Sequence, residues 1–169
     1  ILKLLEEEQF RVITIAGAGG VGKTALALRV IQKILQKRES MFDGVVWLSA
    51  KETKLSYLGI EDIESTVKNY EQLLDTIFEV MGFGSPSVTL DKKESDVNTI
   101  FDLHNRILIA IDNLETIDDD RIINFIIESP PKIKILITSR TGLGQVERRH
   151  DLKQLKEKDR LLDFYMSLT

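Results

Sequence analysis

Short runs of Val, Ile and Leu alternate along the chain with longer stretches in which apolar residues recur every three or four positions. Uninterrupted runs such as ILIAI, at residues 107–111, are typical of strands buried on both faces of a sheet, as crossover helices require. The pattern predicts strands at Arg11–Ala16, Val45–Ser49, Ile107–Asp112 and Lys134–Thr138, with a short fifth strand at His150–Lys153. The expected fold class is α/β, with a mainly parallel five-stranded sheet.

The helical period predicts four helices, at residues 23–37, 70–82, 91–105 and 118–129. In the first of them the predicted buried face consists of Leu26, Val30, Ile34 and Leu35. Gly82 is suited to a left-handed C-cap of the second helix. Asp91 and Glu94 have the spacing of a capping box for the third. Residues 51–66 have mixed polarity and are assigned to no element.

Composition and charge narrow the classes of protein to which the chain can belong. With 169 residues, 43% of them hydrophobic, the chain has the size of one α/β domain with a sizeable core. A net charge of -4 argues against a domain whose main task is to neutralise nucleic-acid phosphates. The chain has no cysteine and no apolar run near the roughly 20 residues that span a bilayer. We therefore expect a soluble, cytoplasmic protein with no membrane contact.

Residues 17–24, GAGGVGKT, match the phosphate-binding pattern G-x-x-x-x-G-K-[ST] directly after a predicted strand and at the start of a predicted helix. Glycines let the backbone approach phosphates, and successive N–H groups then form an anion-binding concavity at the positive end of the helix dipole. The predicted nucleotide-binding residues are Gly17, Ala18, Gly19, Gly20, Val21, Gly22, Lys23, Thr24 and Ala25. Lys23 is expected to reach the β- and γ-phosphates, and Thr24 to place its hydroxyl on Mg²⁺.

A second metal-side residue is expected at the end of a neighbouring strand, and Asp112 ends the strand in RILIAIDNLE. Thr24 and Asp112 are therefore the predicted metal ligands. The group that activates the attacking water stays open at this point. Asn113 follows Asp112, and an amide can orient a water but cannot act as a general base at neutral pH. Glu115 is the other candidate.

Arg140 directly follows the strand in KILITSR, so it should project from the same sheet edge toward the γ-phosphate and stabilise its charge. The predicted catalytic set is Lys23, Asp112, Glu115 and Arg140, with ATP or ADP and Mg²⁺ as cofactors. ATP is favoured over GTP because the chain contains no N-K-x-D guanine-reading motif.

Taken together, GAGGVGKT, FDGVVWLSAK, ILIAIDNLE, KILITSR and LKQLKEKDRLLDFY make the chain resemble the NB-ARC nucleotide-binding domain of STAND NTPases. These are regulatory ATPases of apoptotic adaptors, plant resistance proteins and many bacterial signalling and defence proteins. The resemblance implies a three-layer P-loop NTPase fold of ASCE type, in which another strand lies between the strands that carry the P-loop and Asp112. It also implies an adenine pocket near the segment before the first strand, around Phe10 and Val12.

The resemblance further implies a molecular switch, in which ADP holds a closed monomer and exchange for ATP releases a form that self-associates. Residues 1–154 would form the nucleotide-binding domain and residues 155–169 the start of a following helical subdomain, with effector and sensor domains outside this chain. Asn113 stands where the family commonly has a second acid, and the acid three residues after Asp112 is similar to the related NACHT group. Slow hydrolysis is expected for that reason.

Two other functions remain open at the level of the sequence. One is a P-loop kinase that transfers the γ-phosphate to a small acceptor, although no lid or acceptor pocket is evident. The other is an AAA-type ATPase or ATP-dependent transcriptional regulator that acts on DNA. We expect nucleotide to be the partner of this domain, self-association to occur through the larger protein, and nucleic acid not to bind here.

Overall fold

The structure is a computed structural model that describes residues 1–37, 41–50, 53–56, 59–62, 67–82, 89–144 and 146–154. The predicted start of a helical subdomain, at residues 155–169, lies outside the described residues. The helices are α1 Leu2–Glu6, α2 Lys23–Leu35, α3 Tyr70–Val80, α4 Leu90–Leu103 and α5 Asp120–Glu128, with a 3-10 turn at Leu114–Thr116. The strands are β1 Val12–Ala16, β2 Gly44–Ser49, β3 Thr53–Ser56, β4 Gly59–Asp62, β5 Ile107–Asp112, β6 Ile133–Ser139 and β7 Arg148–Asp151.

Five strands form one sheet in the order β2-β5-β6-β1-β7, and every pairing in it is parallel. β6 lies between β1, which leads into the P-loop, and β5, which ends at Asp112. The predicted ASCE strand order is therefore confirmed. β7 begins two residues before the predicted fifth strand. β3 and β4 form a separate antiparallel pair within the stretch that the sequence left unassigned.

The sheet is covered on both faces, and β5 shows how one strand serves both. Ile107, Ile109 and Ile111 pack into a core formed with α3, α4 and α5. Leu108 and Ala110 point the other way, into a core formed with α1 and α2. Because successive side chains of a strand alternate between faces, an all-apolar strand is what a three-layer α/β fold needs. The predicted three-layer architecture is confirmed.

Two details of the helix predictions are wrong. Leu35 was placed on the buried face of α2 but is 63% exposed, while Ile31, which was not, is buried. Leu35 is the last residue of the helix, where its side chain faces solvent. The capping box of α4 is also absent, because the helix begins one residue earlier and its N-cap, Thr89, makes no side-chain cap bond. Gly82 does adopt the predicted left-handed conformation, with φ of 79°.

Candidate functional site

The loop between β1 and α2 has the backbone geometry of a phosphate cradle. Gly20 and Gly22 have φ of 77° and 96°, in the left-handed region that glycine enters without a steric penalty. Gly22 is the N-cap of α2, so the loop delivers its N–H groups to the positive end of the helix dipole. Residues 18–20 are exposed, which leaves this backbone open to a ligand.

Gly17 is required for a different reason, the close approach of a neighbouring strand. A Cβ at this position would lie 2.6 Å from the carbonyl oxygen of Leu152, just after β7. The Leu152 N–H in turn donates to the carbonyl of Ala16 at 2.7 Å. The absence of a side chain at Gly17 therefore allows the close approach of Leu152 as well as that of the expected phosphates.

Lys23 begins α2 and is 6% exposed. Its Nζ donates hydrogen bonds to the carbonyl oxygens of Gly17 and Ala18, at 2.9 and 3.0 Å. A buried ammonium needs hydrogen-bond partners, and the two carbonyl oxygens hold it against the first residues of the loop. The positive charge is thereby placed inside the concavity that the loop forms.

Asp112 is the meeting point of three secondary-structure elements and is 1% exposed. Its Oδ1 accepts hydrogen bonds from the hydroxyls of Thr24 on α2, at 2.7 Å, and Thr138 on β6, at 2.5 Å. The Ser49 hydroxyl of β2 lies 3.5 Å from Oδ2. The two predicted metal ligands are thus in direct contact beside the phosphate loop.

This donor set fits Mg²⁺. A carboxylate and a hydroxyl are hard oxygen ligands, and Mg²⁺ in nucleotide sites takes one or two protein oxygens together with phosphates and water. Among the described residues, no group of three or more His, Cys, Asp or Glu side chains could hold a metal ion by itself. The Thr24–Asp112 pair is therefore suited to a cation that arrives with a nucleotide.

Glu115 and Arg140 form an ion pair at the same edge of the sheet. The Nε of Arg140 lies 3.3 Å from Oε1 of Glu115, which is in the 3-10 turn after β5. Oε2 of Glu115 is buried and has no hydrogen-bond partner among the described residues. The guanidinium of Arg140 reaches the P-loop, since a Cβ on Gly19 would lie 3.8 Å from its Nη2. The structure thus brings the five predicted catalytic and metal-binding side chains to one edge.

A family model, described as the NB-ARC domain, matches residues 1–162. The chain belongs to the NB-ARC domain family. With the P-loop and the sheet order described above, it is a nucleotide-binding domain with the P-loop ATPase fold.

Individual relatives of this NB-ARC domain are distant. The probable disease resistance protein RXW24L of Arabidopsis thaliana is 27% identical over 110 residues, which are 57% of this chain and 12% of that protein. The chain therefore corresponds to a small part of that curated relative.

Two solved structures are similar in fold. The Walker-type ATPase PABY2304 of Pyrococcus abyssi superposes with a TM-score of 0.59 at 12% identity, covering 99% of this chain and 56% of that one. A chain from the structure of Drosophila ORC bound to AT-rich DNA and Cdc6 gives a TM-score of 0.55 at 13% identity, covering 99% of this chain and 65% of that one. At such identities the likeness shows the fold alone. Separately, no helix in the part of the chain that the structure describes is both long and apolar enough to cross a membrane.

Asn113, which follows Asp112 in this NB-ARC domain, has an unusual backbone. Its φ of 63° and ψ of 43° are left-handed, a conformation that Asn tolerates better than most residues. Its N–H donates to the hydroxyl of Thr138 at 2.9 Å. The turn redirects the chain after β5, so that Glu115 comes to face Arg140.

The segment before β1 is held by a buried lysine that sequence reasoning missed. Nζ of Lys134, on β6, donates to the carbonyls of Glu7 and Phe10, both at 2.6 Å. Lys134 is 2% exposed, and its burial lowers its pKa. Of the two residues expected near adenine, Phe10 is partly buried and Val12 is packed inside the core, which removes the Val12 side chain as a ligand contact.

Thr138 is a second residue that the sequence did not single out. β5 and β6 pair in parallel with Ile111 beside Ile137, so the next residues, Asp112 and Thr138, are also neighbours. The register between the ends of β5 and β6 is the signal from which the role of Thr138 could have been predicted. That register becomes readable only once the strand order is known.

Proposed function

We propose that this chain is the ATP/ADP-binding switch domain of a STAND-type signalling NTPase in the cytoplasm, with slow Mg²⁺-dependent ATP hydrolysis that controls self-association of a larger protein. The observation that supports it most is the direct contact of Thr24 with Asp112 beside the Lys23-bearing loop. The match to a plant resistance protein supports a role in defence signalling. Effector and sensor functions belong to domains outside this chain.

Nucleotide binding rests on the loop and on Lys23. The loop N–H groups at the start of α2 and the Lys23 ammonium provide positive potential for the phosphates. Thr24 and Asp112 would hold Mg²⁺, which when bound neutralises phosphate charge and orients the phosphates. Asp112 is suited to this task because burial and hydrogen bonds from two threonines fix its carboxylate.

Slow hydrolysis is proposed because of the two residues that could act on the attacking water, Asn113 and Glu115. Asn113 cannot remove a proton at neutral pH. Glu115 can, but Oε1 is paired with Arg140 and Oε2 is buried without a partner, so the carboxylate is not free to turn toward a water. We infer that Glu115 can act as a base only in molecules in which this ion pair is open.

Arg140 is the group proposed to distinguish ATP from ADP. Its side chain is 68% exposed, whereas that of its partner Glu115 is 16% exposed. A γ-phosphate beside Gly19 would carry more negative charge than one carboxylate, and it can therefore compete with Glu115 for the exposed guanidinium. A switch requires such a differential contact, because a ligand shifts an equilibrium only by its difference in affinity for the two states.

The proposal is tested by calorimetry and steady-state kinetics on the purified chain. Wild type should bind ATP and ADP in the presence of Mg²⁺, and Lys23→Ala should lose this binding because the ammonium inside the loop is removed. Lys33→Ala is the matched control, since Lys33 is an exposed lysine on the same helix. Unchanged ADP affinity in Lys23→Ala would overturn the binding assignment. Turnover at or above the ordinary enzyme median of about 10 s⁻¹ would overturn the switch.

A further inference from the structure

The hydroxyl of Thr138 lies between two groups on the neighbouring strand. Thr138 is the penultimate residue of β6 and is 1% exposed. Its Oγ1 donates to Oδ1 of Asp112 at 2.5 Å and accepts from the N–H of Asn113 at 2.9 Å. One side chain therefore links the carboxylate that faces the phosphate loop with the backbone turn that follows it.

The direction of these two hydrogen bonds is fixed. The backbone N–H of Asn113 can only donate, so it must use the oxygen of Thr138 as its acceptor. An ionised carboxylate can only accept, so the single hydroxyl proton of Thr138 must point at Asp112. Both ends are buried, and each would be left without this partner if the hydroxyl were removed.

The link determines how Asp112 is presented. Oδ1 accepts hydrogen bonds from two hydroxyls, that of Thr24 on α2 and that of Thr138 on β6. Two separate secondary-structure elements therefore hold the carboxylate in place. Without Thr138, Oδ1 would keep one of these two donors, Thr24, and the carboxylate could rotate more freely. The left-handed turn at Asn113 would also lose the bond that ties it to β6.

We propose that Thr138 is a positioning residue for Mg²⁺: it touches neither the metal nor the nucleotide, and it fixes the Asp112 carboxylate in the orientation that meets Thr24. This rests on the proposed binding of a Mg²⁺–nucleotide complex. Residues that orient a metal ligand through a hydrogen bond typically contribute about 10- to 100-fold in metal affinity. The effect should appear in the metal dependence of binding and leave binding of nucleotide alone intact.

The test is a set of Mg²⁺ titrations of ADP binding followed by calorimetry. Thr138→Val removes the hydroxyl and keeps the shape, so it should raise the Mg²⁺ concentration needed for tight ADP binding by about 10-fold or more. ADP affinity in EDTA should equal that of wild type. Thr138→Ser restores the hydroxyl and should restore the Mg²⁺ dependence.

Thr14→Val is the matched control. Thr14 is a fully buried threonine of the adjacent strand β1, and its hydroxyl has no hydrogen-bond partner among the described residues. The same chemical change there should leave both measurements at wild-type values. Wild-type Mg²⁺ dependence in Thr138→Val would overturn the role of Thr138 and leave the proposed function standing. Absence of ADP binding by the wild-type chain would instead overturn the proposed function.

Thermal unfolding monitored by circular dichroism accompanies each variant. If Thr138→Val does not fold, Thr138→Ala and Thr138→Ser give the same comparison of a missing and a retained hydroxyl. Equal Mg²⁺ dependence in the alanine and serine variants would then overturn the proposal. A higher Mg²⁺ requirement in the alanine variant, with a wild-type requirement in the serine variant, would support the proposal.

Discussion

Asp112 receives polar side chains from parts of the chain that are far apart in sequence. Thr24 follows the phosphate loop, Ser49 ends β2 and Thr138 nearly ends β6, yet all three face this one carboxylate. Each lies at or beyond the carboxyl end of its strand, where parallel strands place their outgoing residues at one edge. A buried carboxylate surrounded by hydroxyls is costly to reorient, which favours a fixed binding geometry.

Arg140→Ala should reduce the preference for one nucleotide over the other without abolishing binding, since the Lys23 loop remains. The guanidinium is exposed and lies beside Gly19, where only the triphosphate is expected to extend. Calorimetric ATP and ADP affinities, expressed as a ratio, provide the measurement.

Arg29→Ala serves as the comparison for that variant, because Arg29 is an exposed arginine on α2 whose hydrogen-bond partner is Gln32 on the same helix. Its nucleotide ratio should match wild type. An unchanged ratio in Arg140→Ala would show that Arg140 is not the group that distinguishes the two nucleotides.

The parts of the site that the sequence predicted are those encoded by local spacing. Lys23 and Thr24 follow the loop glycines directly, and Asp112 ends an apolar run, so strand and helix periods were enough to place them. Thr138 and Lys134 were missed because each contacts a segment far away in the sequence, Thr138 the end of β5 and Lys134 the segment before β1. Their roles depend on strand order and register, which short-range patterns do not carry.

At the scale of secondary-structure elements, one carboxylate joins two helices on the same face of the sheet. Asp119 is the N-cap of α5, where its Oδ1 accepts from the N–H of Arg121 at 3.1 Å. Its Oδ2 accepts from the first N–H of α3, that of Tyr70, at 2.9 Å. A single side chain therefore provides hydrogen-bond acceptors for N–H groups in the first turns of two helices. It also forms an ion pair with the Arg121 guanidinium.

The pKa of Asp119 is lowered by hydrogen bonds from the Arg121 side chain and from the backbone N–H groups of Tyr70 and Arg121. A carboxylate with a lower pKa in the folded state stabilises the fold above its unfolded pKa of about 3.9, and this contribution is lost as pH falls further. Asp119→Asn should therefore show a shallower loss of unfolding free energy than wild type when urea melts are compared between pH 6 and pH 3.

Asp120→Asn provides the comparison for that experiment. Asp120 is the neighbouring acid in the first turn of α5, and no hydrogen bond or ion pair is seen for its side chain among the described residues. Because its side chain makes no cap bond, the difference between its profile and that of Asp119→Asn measures the contribution of the cap. Identical profiles for wild type and Asp119→Asn would mean that the cap contributes no acid-sensitive stability.

The sequence predicted most of the fold at this scale, because strands and helices have different periods. The ends of elements were less well predicted. The capping box at Asp91 failed because α4 starts one residue earlier, at Leu90, and its N-cap is Thr89. Leu35 was misplaced because it is the last residue of α2, and periodicity does not say which side chains at a helix end have a packing partner. Both errors concern tertiary context that a local pattern lacks.

At the scale of the whole chain, a net charge of -4 favours a nucleotide switch over a DNA-directed ATPase. The chain carries 27 acidic and 23 basic residues. Proteins that bind DNA tightly neutralise several phosphates, and their affinity falls steeply with salt. Fluorescence anisotropy with a labelled DNA duplex should show no binding at low salt, with or without ATP. Tight binding that weakens steeply with added salt would favour the DNA-acting alternative.

The position of β1 in the sheet has a consequence for how the molecule is made. Both of its neighbours, β6 and β7, come near the end of the described chain, so its pairings span most of the sequence. A ribosome delivers the chain from the N-terminus at about 5–20 residues per second, and contacts of such separation form slowly. Nascent chains that end before residue 133 would expose a P-loop strand with no partner on either edge. We expect ATP to protect only longer chains from protease, so that the capacity to bind nucleotide reports that synthesis has passed β6.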